Sequence, residues 1–178
     1  MREPLVSIVV ACYNGQQFIE YQMLSLASQT YSNLEVIIVD DASSDGSYEY
    51  LEKYVKSYPN YFLVPNSVNL GLVATFEIAI NIARGEYIAL CDQDDIWLPD
   101  KLLRAHQKLS QDGFAAYSGN VTAFWPDGRE LLLDKAQEQK RYDFLFEAAG
   151  PGCSYVLRVA EALQFKSFLL ENWEEANK

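Results

Sequence analysis

The sequence predicts an α/β fold in which a mostly parallel central sheet is covered by helices on both faces and carries a smaller antiparallel portion. Short apolar runs alternate with amphipathic segments as far as residue 109, which is typical of parallel strands joined by helical crossovers. The runs at 6–12, 34–39 and 86–91 are almost continuously apolar, as strands buried on both faces are. We therefore expect a three-layer α/β/α domain.

The first half of the chain supplies four predicted strands and four predicted helices. The strand at 6–12 is broken by Tyr13-Asn14-Gly15, and apolar residues then recur at helical spacing over 18–27. The strand at 34–39 is followed by a turn at 42–47 with good helix-capping residues. The remaining predictions are a helix at 48–57, a strand at 61–64, a helix at 72–83, a strand at 86–91 and a helix at 99–109, with Pro99 at its first position.

The pattern changes after residue 109. Residues 114–125 are predicted to form one long strand bent at Gly119. Pro126-Asp127-Gly128-Arg129 is a turn signal, so 130–133 is predicted to return beside that strand. A short helix at 142–148, a loop at 150–154, a strand at 155–157, a helix at 159–169 and an acidic tail at 171–178 complete the prediction.

Composition limits the class of protein. The 178 residues fit one domain. The net charge of −11 argues against a nucleic-acid partner, because binding to backbone phosphates requires a basic surface. Cys12 and Cys91 end apolar runs and the third cysteine leaves an odd number, which favours a reducing compartment over a disulfide framework. No run is long enough for a membrane span or a signal peptide, and a cytoplasmic location is expected.

An acidic turn follows the strand predicted at 86–91. Asp92, Asp94 and Asp95 place three carboxylates within four residues. Two unit charges about 4 Å apart repel by roughly 1 kcal/mol in water and about 4 kcal/mol at a partly buried site. The turn therefore needs either full solvation or a cation, and its oxygen atoms suit magnesium or manganese. A calcium loop is the other metal-site alternative, but the glycine that such a loop requires is missing.

Polar residues also follow two other predicted strands. Tyr13, Asp40 and Asp92 all occupy carboxyl ends of strands, the edge of a parallel sheet at which ligands bind. A carboxylate such as Asp40 could cap the next helix or accept the imide N–H of a uracil or thymine ring. Asp45 and Ser47 are interpreted as capping residues.

Four ordered motifs resemble those of family 2 glycosyltransferases. Residues 4–14 are similar to that family's opening strand, and 39–47 to its second signature. Asn69-Leu70-Gly71 and residues 83–88 resemble the segments on either side of its third helix. Asp92-Gln93-Asp94-Asp95 lies at the position of its Asp-x-Asp motif. The sequence Cys-Asp-Gln-Asp-Asp-Ile-Trp at 91–97 is similar to that of a branch labelled rhamnosyltransferase-like. From residue 101 onward the likeness is looser.

The resemblance implies a fold, a donor and a metal. The fold is the Rossmann-like GT-A fold, and the reaction is an inverting transfer from a nucleotide-diphosphate sugar, here a UDP- or dTDP-sugar, assisted by Mn²⁺ or Mg²⁺. Asp94 would be the leading metal ligand, with Asp92 on the ribose or diphosphate side and Asp95 supporting the metal or the sugar. The nucleotide-binding residues that it implies are Ala11 (through its backbone), Tyr13, Asn14, Asp40, Asp41, Asn69, Gly71 and Asp92.

The resemblance also divides the chain. Residues 1–110 would be the half that binds the nucleotide sugar, and 111–178 the start of an acceptor half. Gly150-Pro151-Gly152-Cys153-Ser154 is similar to the family's acceptor loop, so Gly152, Cys153 and Ser154 are acceptor-side candidates. The catalytic base is expected beyond Lys178, with Glu171, Glu174 and Glu175 as weaker alternatives. The acceptor would be a saccharide or a lipid-linked saccharide, which allows peripheral association with the inner face of the membrane.

This chain departs from the family pattern at Phe76. Many relatives carry an arginine there, positioned to meet the nucleotide phosphates, whereas Phe76 is interpreted as a core aromatic. Arg84 and Lys101 lie nearby in the sequence but match neither that position nor its role. Trp97 and Trp125 could stack on a sugar, but packing in the core or against a hairpin is the preferred interpretation for both.

Two other functions remain as alternatives. A nucleotidyltransferase that makes the activated sugar would carry a glycine-rich loop with Arg and Lys after its first strand, and Tyr13-Asn14-Gly15-Gln16-Gln17 has no such character. A non-catalytic module that binds a nucleotide sugar with the same fold would share every motif described above. The sequence does not identify the sugar, the linkage or the oligomeric state.

Overall fold

The computed structural model describes residues 2–111, 113–135 and 150–171. The strands are β1 Val6–Cys12, β2 Leu34–Asp40, β3 Tyr61–Pro65, β4 Tyr87–Asp92, β5 Ala116–Tyr117, β6 Val121–Phe124, β7 Glu130–Leu133 and β8 Val156–Arg158. The helices are α1 Ile19–Ala27, α2 Ser47–Val55, α3 Leu72–Ile82, α4 Lys101–Leu109 and α5 Val159–Glu171. No helix in these described ranges is long and apolar enough to cross a bilayer.

The central sheet confirms the predicted mixture of parallel and antiparallel strands. Its order is β3-β2-β1-β4-β8-β5. The pairs β2–β3, β1–β2 and β1–β4 are parallel, and β8 runs antiparallel to both of its neighbours. Because β2 lies on one side of β1 and β4 on the other, the chain reverses its direction of travel across the sheet at β1. That reversal is the place at which an open α/β sheet forms its ligand crevice.

Two apolar layers cover the sheet. Alternate residues of β1 point to opposite faces, as strand geometry requires: Ile8 and Val10 pack in a core with α1, α2 and α4, whereas Val9 packs in a second core with α3 and α5. The three-layer α/β/α prediction is therefore confirmed. Phe76 packs against the second core, in agreement with its interpretation as a core aromatic.

The predicted long strand at 114–125 was wrong. Residues 116–117 form β5 on the edge of the central sheet, and residues 121–124 form β6, which pairs with β7 in a separate two-stranded sheet. The side chain of Asn120 separates them, because its amide donates to Asp134 Oδ1 (2.8 Å) and its Oδ1 accepts from the Lys135 N–H (2.8 Å). Residue 120 thereby closes the base of the hairpin instead of continuing β5.

The predicted start of α4 was also early. The helix begins at Lys101, not at Pro99. Pro99 lies in the preceding turn, where its carbonyl oxygen accepts a hydrogen bond from the Thr30 N–H at 2.8 Å. This contact ties the entry of α4 to the segment after α1. The helix predicted at 142–148 lies outside the described residues.

Candidate functional site

Three strands deliver the predicted site residues to one edge of the sheet. In the register of the sheet, Cys12 lies beside Asp40 and Ala11 lies beside Asp92. Neighbouring strands are about 4.8 Å apart, so the ends of β2, β1 and β4 are adjacent. Tyr13 follows β1 directly, and its side chain is 47% exposed. The structure thus brings Tyr13, Asp40 and Asp92 together at the point where the strand order reverses.

The loop after β1 is held to the acidic turn by one amide side chain. The Tyr13 N–H donates to Gln93 Oε1 at 2.8 Å, and Gln93 Nε2 donates to the Tyr13 carbonyl at 3.1 Å. A Cβ atom at Gly15 would lie 2.5 Å from Gln93 Oε1, so a side chain at this position would displace the Gln93 amide from Tyr13. Sequence reasoning missed Gln93, although its place between two aspartates of the motif was a usable signal.

The same loop is also fastened to the segment after β2. Asn14 has a φ of 48°, a conformation that Asn tolerates better than most residues. Its N–H donates to Ser43 Oγ at 3.0 Å, and its Oδ1 accepts from the Ser44 N–H at 2.8 Å. The Gly15 N–H donates to Ser47 Oγ at 2.8 Å. Asn14 therefore shapes the site through its own hydrogen bonds and leaves the Tyr13 ring exposed beside them.

Asp40 presents a buried carboxylate to this edge. The residue is 2% exposed, and its Oδ2 accepts a hydrogen bond from the Ser43 N–H at 3.0 Å. Within the part of the chain that the structure describes, its Oδ1 is buried and has no hydrogen-bond partner. A buried acceptor without a donor is costly, so Asp40 has the capacity to accept an N–H or O–H from a ligand.

Asp41 organises the loop before α3. Its Oδ1 accepts from Asn66 Nδ2 (2.7 Å) and from the Leu70 N–H (2.8 Å), and its Oδ2 accepts from the Gly71 N–H (2.8 Å). Burial alone would raise the pKa of Asp41, but these hydrogen bonds outweigh it and lower the pKa below its usual range. Asn69 is exposed between the anchored positions, and the hydrogen bonds of Asp41 fix the loop that carries it.

The acidic turn gathers two of its three carboxylates. Ligand atoms of Asp92, Asp95 and Cys153 all lie within 4.8 Å of one another, whereas Asp94 is exposed and outside this set. Burial, and then the neighbouring carboxylates, raise the pKa of Asp92. Burial raises the pKa of Asp95 as well, and its Oδ2 is buried without a hydrogen-bond partner among the described residues. The carboxylate oxygens of Asp92 and Asp95 are therefore suited to a divalent cation.

A lysine ammonium faces this turn. Lys101 Nζ lies 3.3 Å from the centroid of the Trp97 ring and donates a hydrogen bond to the Cys153 carbonyl. Burial lowers the pKa of Lys101 to about 8, although Cys91, Cys153, Asp95 and Asp92 act in the opposite direction. Burial, with Asp95 next, raises the pKa of the Cys153 thiol to about 12. Sequence reasoning named Lys101 without giving it a role.

Several other candidates lie elsewhere. Arg84 donates to Glu35 Oε2 at 2.6 Å near the amino end of β2, the opposite end from Asp40. Trp125 lies in the β6–β7 hairpin with the Arg129 guanidinium 5.2 Å from its ring centroid. Glu171 is the exposed last residue of α5. The other two candidate bases, Glu174 and Glu175, fall outside the described residues.

Comparison of folds gives the class of domain. The mannosyltransferase PcManGT from Pyrobaculum calidifontis, in complex with GDP-Man and Mn²⁺, superposes with a TM-score of 0.68 at 22% identity, covering 88% of this chain and 45% of that one. S. aureus TarS 1-349 in complex with UDP-GlcNAc gives a TM-score of 0.72 at 22% identity, covering 89% and 46%. At this identity the likeness concerns the fold alone, and that fold is GT-A.

Comparison of sequences gives the family. The dTDP-rhamnosyl transferase RfbG of Shigella flexneri is 39% identical over 168 residues, which cover 92% of this chain and 58% of that protein. The UDP-Glc:alpha-D-GlcNAc-diphosphoundecaprenol beta-1,3-glucosyltransferase WfaP of Escherichia coli is 36% identical over 115 residues, covering 64% and 45%. The chain thus spans about half the length of these relatives. The model of Glycosyl transferase family 2 matches residues 7–160, and the chain belongs to that family.

Proposed function

We propose that this chain forms the donor-binding part of an inverting glycosyltransferase that moves a sugar from a UDP- or dTDP-sugar to an acceptor hydroxyl during cell-surface polysaccharide or glycan synthesis. The observation that carries the proposal is the pair of buried, unpartnered carboxylate oxygens, Asp40 Oδ1 and Asp95 Oδ2, in the described part of the chain. Asp40 is the last residue of β2, and Asp95 lies in the turn that follows β4. These two strands flank β1 in the sheet. One oxygen can accept a base N–H, and the other can hold a cation beside the diphosphate.

The nucleoside would bind along the end of β1. The Ala11 backbone and the exposed Tyr13 ring would contact the base and ribose, and Asp40 Oδ1 would accept the imide N–H of uracil or thymine. A base without that imide would leave the oxygen unpartnered, which costs about 1–3 kcal/mol. Asn14 and Asp41 would act by fixing the two loops, while Asn69 and Gly71 would border the nucleotide.

The carboxylates of Asp92, Asp94 and Asp95 would hold the divalent metal, Mn²⁺ or Mg²⁺. Bound there, the metal would stabilise the negative charge that develops on the departing diphosphate. The fit rests on the close oxygens of Asp92 and Asp95 and on the unpartnered Oδ2 of Asp95. Asp94, exposed at the mouth of the turn, would complete the oxygen set from the solvent side.

The acceptor would approach past the loop that contains Gly152, Cys153 and Ser154. Its hydroxyl would attack the anomeric carbon and lose its proton to a carboxylate base, which we place in a region beyond Lys178. A saccharide or a lipid-linked saccharide would be the acceptor, by analogy with the diphosphoundecaprenol in the name of the Escherichia coli relative. Such an acceptor would place the protein in the cytoplasm, at the inner face of the membrane.

Isothermal calorimetry tests the donor site. UDP or dTDP should bind in the presence of Mn²⁺ and much more weakly after chelation. Asp94→Ala should abolish the metal-dependent part of this binding, whereas Asp127→Ala, which removes an exposed carboxylate from the hairpin turn, should leave it unchanged. Absence of nucleotide binding with and without metal would refute the proposal. Binding without donor hydrolysis or transfer by the complete gene product would instead favour a non-catalytic module.

A further inference from the structure

Lys101, the first residue of α4, has its ammonium packed between an aromatic ring and a backbone carbonyl. Its ammonium lies against the face of Trp97, which is 4% exposed, and donates to the carbonyl of Cys153. Removing an ammonium from water is expensive unless it is paired. The aromatic face, the carbonyl and the nearby carboxylates of Asp92 and Asp95 together provide that compensation.

The partner of Lys101 belongs to a different part of the chain. Cys153 lies in a single turn of 3₁₀ helix at Gly152–Ser154, immediately before β8. The hydrogen bonds within this loop are local: the Ser154 N–H and Oγ both donate to the Pro151 carbonyl, and the Tyr155 N–H donates to the Gly152 carbonyl. Local bonds fix the shape of the loop. Its position beside β4 and the acidic turn depends on the Leu90 N–H, which donates to the Tyr155 carbonyl at 3.1 Å, on a hydrogen bond between the side chains of Cys153 and Asp95, and on the Lys101 contact. Of these contacts, only that of Lys101 reaches the loop from α4.

The ammonium of Lys101 also acts on the carboxylates of the acidic turn. Ligand atoms of Asp92 and Asp95 lie within 4.8 Å of each other. Burial raises the pKa of both carboxyl groups, and Lys101 acts to lower both. A single ammonium therefore touches the acceptor-side loop and faces the carboxylates of the turn. Moving the ammonium would remove its contact with the loop and take a positive charge away from the carboxylates.

We propose that Lys101 is a positioning residue that holds the loop 150–154 against the acidic turn Asp92–Asp95, so that the acceptor side and the metal side of the site keep a fixed separation. The catalytic meaning of this separation rests on the proposed function. The contact itself does not, because it is a property of the protein without donor or metal.

The three cysteines provide a direct readout. Cys12 and Cys91 are 1% and 0% exposed, whereas Cys153 is only partly buried. Alkylation with iodoacetamide, mapped by mass spectrometry, therefore reports the position of the loop at Cys153 and global unfolding at the other two. The measurement needs neither nucleotide nor metal, so its failure is distinguishable from failure of nucleotide binding in the calorimetric experiment.

Lys101→Met should speed alkylation of Cys153 by about tenfold through local opening of the loop, with Cys12 and Cys91 still unreactive. Lys101→Arg keeps the charge, the donors and the aromatic contact, and should remain near the wild-type rate. Lys108→Met, which removes an exposed cation from the same helix, is the matched control and should also match wild type.

Loss of the Lys101 charge without movement of the loop would slow the alkylation of Cys153 instead of speeding it. Lys101 lowers the pKa of the Cys153 thiol, so its removal from an unmoved loop would leave less thiolate and slow the reaction. An unchanged or slower rate in Lys101→Met overturns the proposal. If that variant unfolds and all three thiols react, Lys101→Gln, whose polar but shorter side chain also loses the contact, is measured in its place. If Lys101→Met and Lys101→Gln both unfold while Lys101→Arg stays folded, the proposal is also overturned. The positive charge at residue 101 would then stabilise the whole domain and not the position of one loop.

Discussion

The carboxylate of Asp95 lies in surroundings that favour its neutral form. Burial, together with the nearby Asp94, raises its pKa, and its Oδ2 lacks a partner among the described residues. A raised pKa means that the ionised group opposes folding at neutral pH. Residues that bind charged ligands often carry such a cost, because a site arranged for a ligand is not arranged for stability.

Replacing Asp95 by Asn should therefore stabilise the protein at pH 7 while removing its response to Mn²⁺. The amide is close to isosteric, carries no charge and reduces the repulsion with Asp92. Urea denaturation should show a higher free energy of unfolding for Asp95→Asn than for wild type without metal. Added Mn²⁺ should stabilise wild type by mass action and leave the variant unchanged. A variant that is less stable than wild type without metal would contradict this account of Asp95.

A network around one buried glutamate holds the amino ends of the strands, on the side of the sheet away from the site. At the amino end, Glu35 on β2 is 2% exposed. It accepts from Ser7 Oγ on β1 at 2.6 Å and from the Arg84 N–H before β4 at 2.8 Å. The Arg84 side chain adds an ion pair to the same carboxylate. This network ties three parallel strands together on the side away from the ligand edge.

Arg84→Met should destabilise the protein by about 1.5–3 kcal/mol, the range for hydrogen bonds to a charged group, without changing nucleotide affinity. Arg104→Met is the matched control, because Arg84 and Arg104 have similarly exposed side chains, at 67% and 64%. Their partners differ, with Glu35 at 3% and Asp100 at 39% side-chain exposure, so the control should lose only about 0.3–0.5 kcal/mol. Urea denaturation and calorimetry measure the two effects. A weakened nucleotide affinity in Arg84→Met would place Arg84 in the site after all.

Prediction of these elements succeeded where a local pattern and the tertiary structure require the same thing. The apolar runs that became β1, β2 and β4 are buried on both faces, so their sequences have no alternation to misread. The segment 114–125 failed because strand propensity does not say which sheet a strand joins. Asn120 separates β5 from β6 by side-chain hydrogen bonds to residues 134 and 135, contacts that no local window contains.

The residues of the candidate site likewise include some that the sequence predicted and some that it did not. Asp40 and Asp92 were predictable because both follow buried strands, and parallel strands place their ends at a common edge. The place of Gln93 between two aspartates marked it as part of the motif, but the contacts of Gln93 and Lys101 were not predictable, since their partners lie 80 and 52 residues away, respectively. Chain-distant polar contacts of this kind leave no periodic signal in the sequence. Their side chains nevertheless set the spacing between the segments that carry the predicted residues.

At the scale of the whole molecule, the described carboxylates whose pKa the fold shifts form two groups with opposite effects on stability. The pKa values of Asp92 and Asp95 are raised at the ligand edge. The pKa values of Glu35, Asp41 and Asp45 are lowered: burial acts against this shift in each, and hydrogen bonds outweigh it. The ionised forms of the second group therefore stabilise the folded state at neutral pH.

The pH dependence of stability should reveal the second group through Asp41. A lowered folded-state pKa means that the stabilisation is present above the unfolded pKa of about 3.9 and is lost as pH falls through the folded value. Asp41→Asn should lower the free energy of unfolding by about 2–4 kcal/mol at pH 7, because its amide cannot accept from all three donors. This deficit should shrink below about pH 4, where the unfolded wild-type chain binds a proton that the folded state still excludes and wild-type stability therefore falls. Asp127→Asn is the control and should follow the wild-type curve in urea denaturation from pH 7 to pH 3. A deficit that stays constant over this range would mean that the ionised carboxylate is not what fixes the loop before α3.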